Sequence, residues 1–170
     1  MKPWLAMLTM LATLPAAGAE GRGFYLDSVT GNDENSGRSP EQAWRSLEKA
    51  SGMEYTSGDR LLLKKGCVFR GTLALHAAGS EDAPVVVGAY GEGDLPAIDA
   101  KGYVAGIAIE NCSHLEVENL EVSADGGDPV EPQAGNRRLG VQIAYGEGDY
   151  KHIVLRGLYI HDIFAAKADE

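Results

Sequence analysis

Two stretches, GIAIENCSHLEVENLEV at Gly106–Val122 and GVQIAYGEGDYKHIVLRGLYI at Gly140–Ile160, repeat one pattern of short apolar strands. Their first glycines lie 34 residues apart and the histidines His114 and His152 lie 38 apart, so the second copy holds extra residues in one turn. Each copy has three short strands in which apolar and polar residues alternate. One copy cannot bury its apolar side alone, whereas stacked copies bury it continuously. The pattern predicts an all-β parallel β-helix.

The segment before these strands predicts a capping helix. Ser39 is a candidate N-cap, and Pro40–Ala50 follows with apolar residues at helical spacing. Trp44 and Leu47 are expected on its buried face, and Gly52 is expected to end it in a left-handed conformation. Such a helix would cover the apolar end and open edges of the first coil.

The chain is expected to divide into three parts: a signal peptide at residues 1–19, a strand, loop and capping helix at residues 20–59, and the first β-helix coils at residues 60–170. No amphipathic element follows Phe164 to close the last coil. We therefore expect a protein truncated at its C-terminal end, and we expect this fragment alone to be inactive.

The first residues are typical of a secretory signal. Lys2 supplies a positive charge, Trp4–Leu14 is largely apolar, and Ala17–Ala19 has the small residues of a cleavage site. The apolar run is shorter than the roughly 20 residues of a membrane-spanning helix. The sequence thus predicts a secreted or periplasmic protein, cleaved near Ala19, without a membrane span.

The net charge limits the possible partners, and the two cysteines allow one disulfide. The net charge is −10, and removal of the signal would also remove Lys2. Nucleic acid and anionic lipid are therefore not expected partners. Cys67 and Cys112 either form one disulfide in an oxidising compartment or remain two buried thiols.

Several polar residues are expected to shape turns and to join coils. The polar run Gly31–Gly37 is interpreted as turns rather than as a calcium loop. His114 and His152 hold equivalent repeat positions and are expected to stack, while the amide side chains of Asn111 and Asn119 are expected to bond between coils. His161–Asp162 should not touch each other, because adjacent strand residues point to opposite faces.

The N-terminal half also carries a family resemblance. It rests on Tyr25, Asp27, Gly31–Asp33, Ser39–Pro40, Ala43–Leu47, Gly58–Gly66, Phe69–Leu73, Gly88–Gly91 and Pro96–Asp99. On these residues the chain resembles the N-terminal region of bacterial exported proteins of the pectate-lyase-like superfamily, which are right-handed parallel β-helices. The resemblance implies fold and export. It implies no single activity, because the superfamily includes lyases, epimerases, glycoside hydrolases and proteins of unknown activity.

The insertion at residues 123–139 is the region most expected to bind a metal ion or substrate. Asp125, Asp128 and Glu131 are candidate ligands for Ca²⁺, which prefers oxygen ligands. Arg137 and Arg138 are candidate substrate-binding residues. The competing interpretation is a solvated loop whose charges pair with one another. No catalytic residue can be assigned from the sequence.

These features predict the N-terminal part of an exported carbohydrate-active protein, a polysaccharide lyase or epimerase acting on acidic polysaccharide with calcium. One alternative is a non-catalytic β-helix that binds glycan or has a structural role. Another is a β-helix glycoside hydrolase, which would need two carboxylates across a cleft. The oligomeric state is left open.

Overall fold

The computed structural model describes residues 21–130 and 135–165. The predicted signal sequence therefore lies outside the described residues. Within these ranges the chain forms short strands, a single 3-10 turn at Pro40–Gln42 and a short helix α1 at Leu47–Ser51. The strands are β1 (Gly23–Leu26), β2 (Glu54–Thr56), β3 (Arg60–Lys64), β4 (Val68–Arg70), β5 (Leu73–Ala78), β6 (Val85–Tyr90), β7 (Ala97–Asp99), β8 (Ala105–Glu110), β9 (Leu115–Glu118), β10 (Glu121–Asp125), β11 (Leu139–Ala144), β12 (Ile153–Arg156) and β13 (Tyr159–Phe164).

The strands form three parallel sheets, which the chain visits in turn. The first sheet has the order β1-β3-β6-β9-β12, the second β4-β7-β10-β13 and the third β2-β5-β8-β11. One coil therefore takes one strand from each sheet, as β9, β10 and β11 do. The predicted parallel β-helix is confirmed. No helix of the described residues is long and apolar enough to cross a membrane.

The core is built from rows of apolar residues that stack from coil to coil. In the first sheet, Leu61 pairs with Val87 and Val87 with Val117, and all three are fully buried. In the second sheet, Ile98 pairs with Val122, and both are fully buried. Each such side chain contributes roughly 1.5–3 kcal/mol by leaving water. The alternating pattern of the sequence therefore sets the register, because a slip by one residue would expose a whole row.

Polar residues at the turns join neighbouring coils as expected. The rings of His114 and His152 stack with their centroids 4.9 Å apart. The side-chain oxygen of Asn111 accepts a hydrogen bond of 2.7 Å from the backbone N–H of Gly146 in the next coil. The histidine stacking and the Asn111 contact are confirmed. The prediction for the Asn119 side chain is not: among the described residues only its backbone N–H bonds to the next coil, at 3.1 Å from the carbonyl of Arg156.

The predicted capping helix is wrong in extent, although its buried residues are right. Between the 3-10 turn and α1 the backbone is extended, and Trp44 pairs with Leu26 beside the first sheet. The cap of α1 is Ser46, whose hydroxyl accepts from the N–H of Lys49, whereas the Ser39 side chain caps nothing. Backbone pairing with β1 thus overrides the helical spacing. Gly52 has a φ of −77°, so the left-handed ending is also wrong.

Trp44 is the anchor of the N-terminal cap. It is buried, and its ring stacks on Phe24 with the centroids 5.2 Å apart. Its indole N–H donates to the carbonyl of Asn35 at 2.9 Å. Gly37, with a φ of 71°, lies so close that a Cβ there would be 2.4 Å from the indole ring. The cap therefore depends on a large aromatic ring seated against a residue without a side chain.

The run Gly31–Gly37 forms the turns that the sequence predicts. The carboxylate of Asp33 accepts from the backbone N–H groups of Arg45 and Ser46 at 2.8 and 3.0 Å. The Asn35 amide donates to the carbonyl of Ala43 at 3.1 Å. These side chains hold the loop against the cap.

A buried carboxylate fixes the start of β3. Asp59 accepts from the backbone N–H and the guanidinium of Arg22 and from the N–H of Thr56. Burial alone would raise the pKa of this carboxyl, but the hydrogen bonds lower it to about 2. The side chain is therefore ionised and ties the segment before β1 to the turn before β3.

The two cysteines are buried free thiols. Cys112 Sγ donates to the carbonyl of Leu75 at 3.1 Å, and Cys67 Sγ lies 3.6 Å from the carboxylate of Asp27. Burial raises the pKa of the Cys112 thiol. Of the two alternatives, the structure favours buried thiols.

Replacing Trp44 by Ala should destabilise the protein by about 3–5 kcal/mol, because it leaves a cavity at the capped end. Urea unfolding followed by circular dichroism measures this loss. The control is Val29→Ala, since Val29 is 70% exposed and its truncation should change stability little. Equal effects of the two substitutions would contradict the role given to Trp44.

Candidate functional site

A groove of about 760 Å³ lies on the outer face of the third sheet. Its floor is one row of outward-facing residues: Ala74 on β5 pairs with Ala108 on β8, which pairs with Gln142 on β11. Two of these side chains are single methyl groups, so the backbone of the sheet is close to the surface there. The stacking that builds the core therefore also aligns a shallow floor across three coils.

The helix α1 forms one wall of the groove. Glu48 and Ser51 line the cavity, and the hydroxyl of Ser51 accepts a hydrogen bond of 2.9 Å from the N–H of Ala74. This bond fixes α1 against the first residues of β5, ahead of those that pair with β2. The carboxylate of Glu48 thereby lies beside the floor of the groove.

The other wall comes from the turns that lead into the third sheet. Arg70, Tyr103 and Arg137 line the cavity from three successive coils. A Cβ on Gly71 would lie 3.7 Å from the Tyr103 ring, so this ring packs directly beside the turn of the preceding coil. Two guanidinium groups and one aromatic ring therefore share this side of the groove.

A second concavity of about 230 Å³ adjoins the first and shares Glu110 with it. Its outward-facing row runs from Glu54 on β2 through His76 on β5 to Glu110 on β8. The second concavity thus presents carboxylates, a histidine and the Asn111 amide beside the groove.

The structure places the two predicted substrate-binding arginines differently. Arg137 is exposed and lines the groove. Arg138 is only 6% exposed, and its guanidinium donates to the carbonyls of Gly126, Gly127, Gly135 and Arg137 at 2.7–3.0 Å. Its donors face the loop's own carbonyls, so the geometry favours a role for Arg138 in shaping the loop rather than in contacting substrate.

The insertion supports the wall that carries Tyr103. Gly102 donates to the carbonyl of Gly126 and accepts from the N–H of Val130, both at 2.9 Å. Gly102 has a φ of 86°, and a Cβ there would lie 2.6 Å from the carbonyl oxygen of Asp128. The inserted loop therefore packs tightly on the turn that precedes Tyr103.

The predicted calcium ligands are only partly described. Asp125 lies at the end of β10 and Asp128 in the following loop, both exposed, while Glu131 lies outside the described residues. In the parts of the chain that the structure describes, no three His, Cys, Asp or Glu side chains are grouped to hold a metal ion. Calcium binding stays a prediction of the sequence.

A calcium titration tests that prediction. If Asp125, Asp128 and Glu131 bind Ca²⁺, calcium should raise the melting temperature, because a ligand that binds only the folded state stabilises it. Asp125→Ala with Asp128→Ala should remove the rise. Glu147→Ala with Asp149→Ala, in another exposed turn, is the matched control. An unchanged calcium response in the first pair would remove this loop as a metal site.

A second polar cluster lies on the outer face of the second sheet. His161 Nε2 is 3.0 Å from Glu121 Oε1, and its Nδ1 is 2.9 Å from Asp162 Oδ2. The expectation that His161 and Asp162 do not touch is therefore wrong. Ser123 pairs with His161 but Ala124 pairs with Ile163, so Asp162 is an extra residue in a β-bulge, with a φ of 50°. The bulge turns its carboxylate back to the neighbouring imidazole.

Hydrogen bonds to the carboxylates of Asp162 and Glu121 raise the pKa of His161 above its usual value. Both ring nitrogens face carboxylates, which accept only, so the geometry is that of an imidazolium. The His161–Glu121 ion pair between β13 and β10, and the His161–Asp162 pair within β13, are therefore present below the ordinary histidine pKa of about 6.5 and are lost as the pH rises through the higher folded value.

An NMR titration of the ring protons should place the pKa of His161 above about 6.5. Glu121→Gln should lower it, because one carboxylate is replaced by a neutral amide. His76, which faces the second concavity, serves as the internal comparison in the same spectra. A pKa of His161 that Glu121→Gln leaves unchanged would contradict the bridged geometry.

Of the three residues on the groove wall opposite α1, the sequence predicted Arg137 in the insertion and missed the other two. Arg70 and Tyr103 belong to no motif. They share a position instead, since Arg70, Tyr103 and Arg137 each come shortly before a strand of the third sheet. Aligning the coils by their strands would have found them.

Comparison with known proteins shows similarity to glycosidases over a small part of their length. The chain is 28% identical to lacto-N-biosidase of Bifidobacterium longum subsp. longum, an alignment that covers 85% of this chain and 12% of that protein. It is 36% identical over 64 residues to alpha-1,3-galactosidase A of Akkermansia muciniphila, covering 38% of this chain and 11% of that protein. No protein-family model matches the chain.

Solved structures agree with this similarity. Native and selenomethionine crystal structures of GH136 lacto-N-biosidase from Eubacterium ramulus superimpose with a TM-score of 0.74 at 28% identity. Each match covers 88% of this chain and 28% of the other. The β-helix architecture is thus shared, while the pectate-lyase-like label is not supported. Because these relatives are glycosidases, the comparisons favour the glycoside-hydrolase alternative over the lyase or epimerase expected from the sequence.

Proposed function

We propose that this chain is the N-terminal part of an exported glycoside hydrolase built on a parallel β-helix, and that the groove on its third sheet binds part of the glycan. The observation that carries the proposal is the groove itself, which spans three coils in a fold shared with lacto-N-biosidases. The similarity covers a minor part of each relative. Hydrolytic activity is therefore proposed for the protein rather than established by the similarity.

The chemistry of the groove suits an uncharged sugar. Arg70 and Arg137 offer hydrogen-bond donors, while Glu48 and Glu110 offer acceptors, so sugar hydroxyls find both. Tyr103 adds an aromatic surface next to them, as ligand sites commonly do. Both charge signs line the cavity, and the whole chain is acidic. These features disfavour the acidic polysaccharide expected from the sequence.

The catalytic residues remain unassigned. Glycoside hydrolases of the common kinds use two carboxyl groups on opposite sides of the scissile bond. The described groove supplies Glu48 and Glu110 from separate elements, and we assign them to binding. Export is part of the proposal too, supported by the signal-like residues 1–19.

A cleavage assay tests the proposed activity. The protein isolated from its natural source should release 4-nitrophenol from a 4-nitrophenyl glycoside of lacto-N-biose or of α-galactose. Activity should persist in excess EDTA, and no unsaturated sugar should form. An unsaturated product would restore the lyase hypothesis. Glycan retention without cleavage would instead support the non-catalytic binding protein.

Tyr103→Ala tests the groove. It should raise KM or Kd for the glycan about fivefold or more, equivalent to about 1 kcal/mol, with little change in kcat. The matched control is Tyr145→Ala, because Tyr145 is 50% exposed and does not line the groove. Equal affinities of the two variants would show that the groove does not hold the sugar.

A further inference from the structure

The guanidinium of Arg138 joins the two ends of the inserted loop. It donates to the carbonyls of Gly126 and Gly127, where the loop begins, at 3.0 Å each. It also donates to the carbonyls of Gly135 and Arg137, where the loop ends, at 3.0 and 2.7 Å. Four of the five N–H donors that an arginine carries are therefore used inside one loop.

The carbonyl of Gly126 connects this network to the preceding coil. It accepts from Arg138 Nε at 3.0 Å and from the backbone N–H of Gly102 at 2.9 Å. Gly102 directly precedes Tyr103, whose own N–H donates to the carbonyl of Ala100 in the same turn. The turn that holds Tyr103 is therefore bonded to the same carbonyl oxygen as the guanidinium.

The end of the inserted loop is fixed beside the same turn. Leu139, the residue after Arg138, donates its N–H to the carbonyl of Val104 at 2.8 Å and pairs with Ala105 in the sheet. Arg137 and Tyr103 each lie two residues before that pair. The strand register thus brings these two wall residues to equivalent places in successive coils, and the Arg138 network holds the segments that carry them.

We propose that Arg138 is the positioning residue of the groove wall, and that its guanidinium sets the places of Tyr103 and Arg137. The Arg138 side chain is only 6% exposed, so it acts through these two residues rather than on a ligand. The positioning rests on the hydrogen bonds alone. Its effect on glycan affinity rests on the proposed function, in which the wall contacts the sugar.

An arginine suits this role because the backbone that it binds is flexible. Gly126 and Gly127 have φ values of 39° and 74°, which glycine adopts without strain and also leaves easily. A planar guanidinium holds its N–H groups in fixed directions, so it can fix several carbonyls relative to one another. A lysine ammonium in the same place would keep the charge but would lack this rigid set of donors.

Kinetics of an Arg138→Ala variant test the effect on the groove. In the protein from its natural gene, this change should raise KM for the 4-nitrophenyl glycoside that the protein cleaves by about tenfold, equivalent to about 1.4 kcal/mol, with little change in kcat. Arg138→Lys should keep most of the rise in KM, because it retains only the charge. The matched control is Arg22→Ala, which breaks a guanidinium contact to Asp59 away from the groove. It should lower the melting temperature and leave KM unchanged.

A multiple-mutant comparison separates positioning from a general loss of stability. In a variant that already carries Tyr103→Ala and Arg137→Ala, the addition of Arg138→Ala should raise KM no further, because the residues that it positions have lost their side chains. A further tenfold rise in that background would overturn the proposal. A parental KM in Arg138→Ala, when Tyr103→Ala alone raises KM, would overturn it as well.

Hydrogen exchange tests the positioning without an activity assay. Arg138→Ala should speed the exchange of the Gly102 and Val130 amides, which bond within this network, and leave Leu63 in β3 unchanged. Unchanged exchange at Gly102 and Val130 would overturn the proposal. If Tyr103→Ala leaves KM unchanged, the proposed function of the groove fails, and the exchange rates alone then decide whether Arg138 holds the wall.

Discussion

The whole fold depends on one constraint, that each inward-facing residue must meet a residue of the same kind in the coil below. Leu61, Val87 and Val117 satisfy it in the first sheet, and Ile98 and Val122 satisfy it in the second. A parallel strand pair provides the constraint, because it holds equivalent positions about 4.8 Å apart. Turns are free of it, so residues can be added there without disturbing any row.

The groove on the outer face results from the same strand pairing. Residues that alternate with the core rows also align, so that Ala74, Ala108 and Gln142 form a floor without any contact selecting them individually. The segments that lead into the third sheet then place Arg70, Tyr103 and Arg137 at equivalent positions of three successive coils. On such a fold, residues that are far apart in the sequence form one site because the strand register aligns them.

The repeat at Gly106 and Gly140 was enough to predict the fold, because period and alternation are local properties of the sequence. The capping segment was less predictable, since Trp44 pairs with β1, and helical spacing cannot reveal a partner 18 residues away. The contact between Asp162 and His161 was not predicted for a similar reason. The β-bulge that holds Asp162 arises from the pairing of β13 with β10, which the local sequence does not show. Apart from Arg137, the groove residues were not predicted, because they share no motif and only hold equivalent places in successive coils.

The cap on the first coil also sets a direction for folding. Trp44 and α1 close the first coil with residues that precede every later coil in the sequence, so the capped end of the template comes first in the chain. Each new coil then finds its register on a formed template, which avoids the slow search for distant partners that burdens most parallel sheets. A β-helix that is closed at its first coil is therefore suited to adding its coils in the order of the sequence.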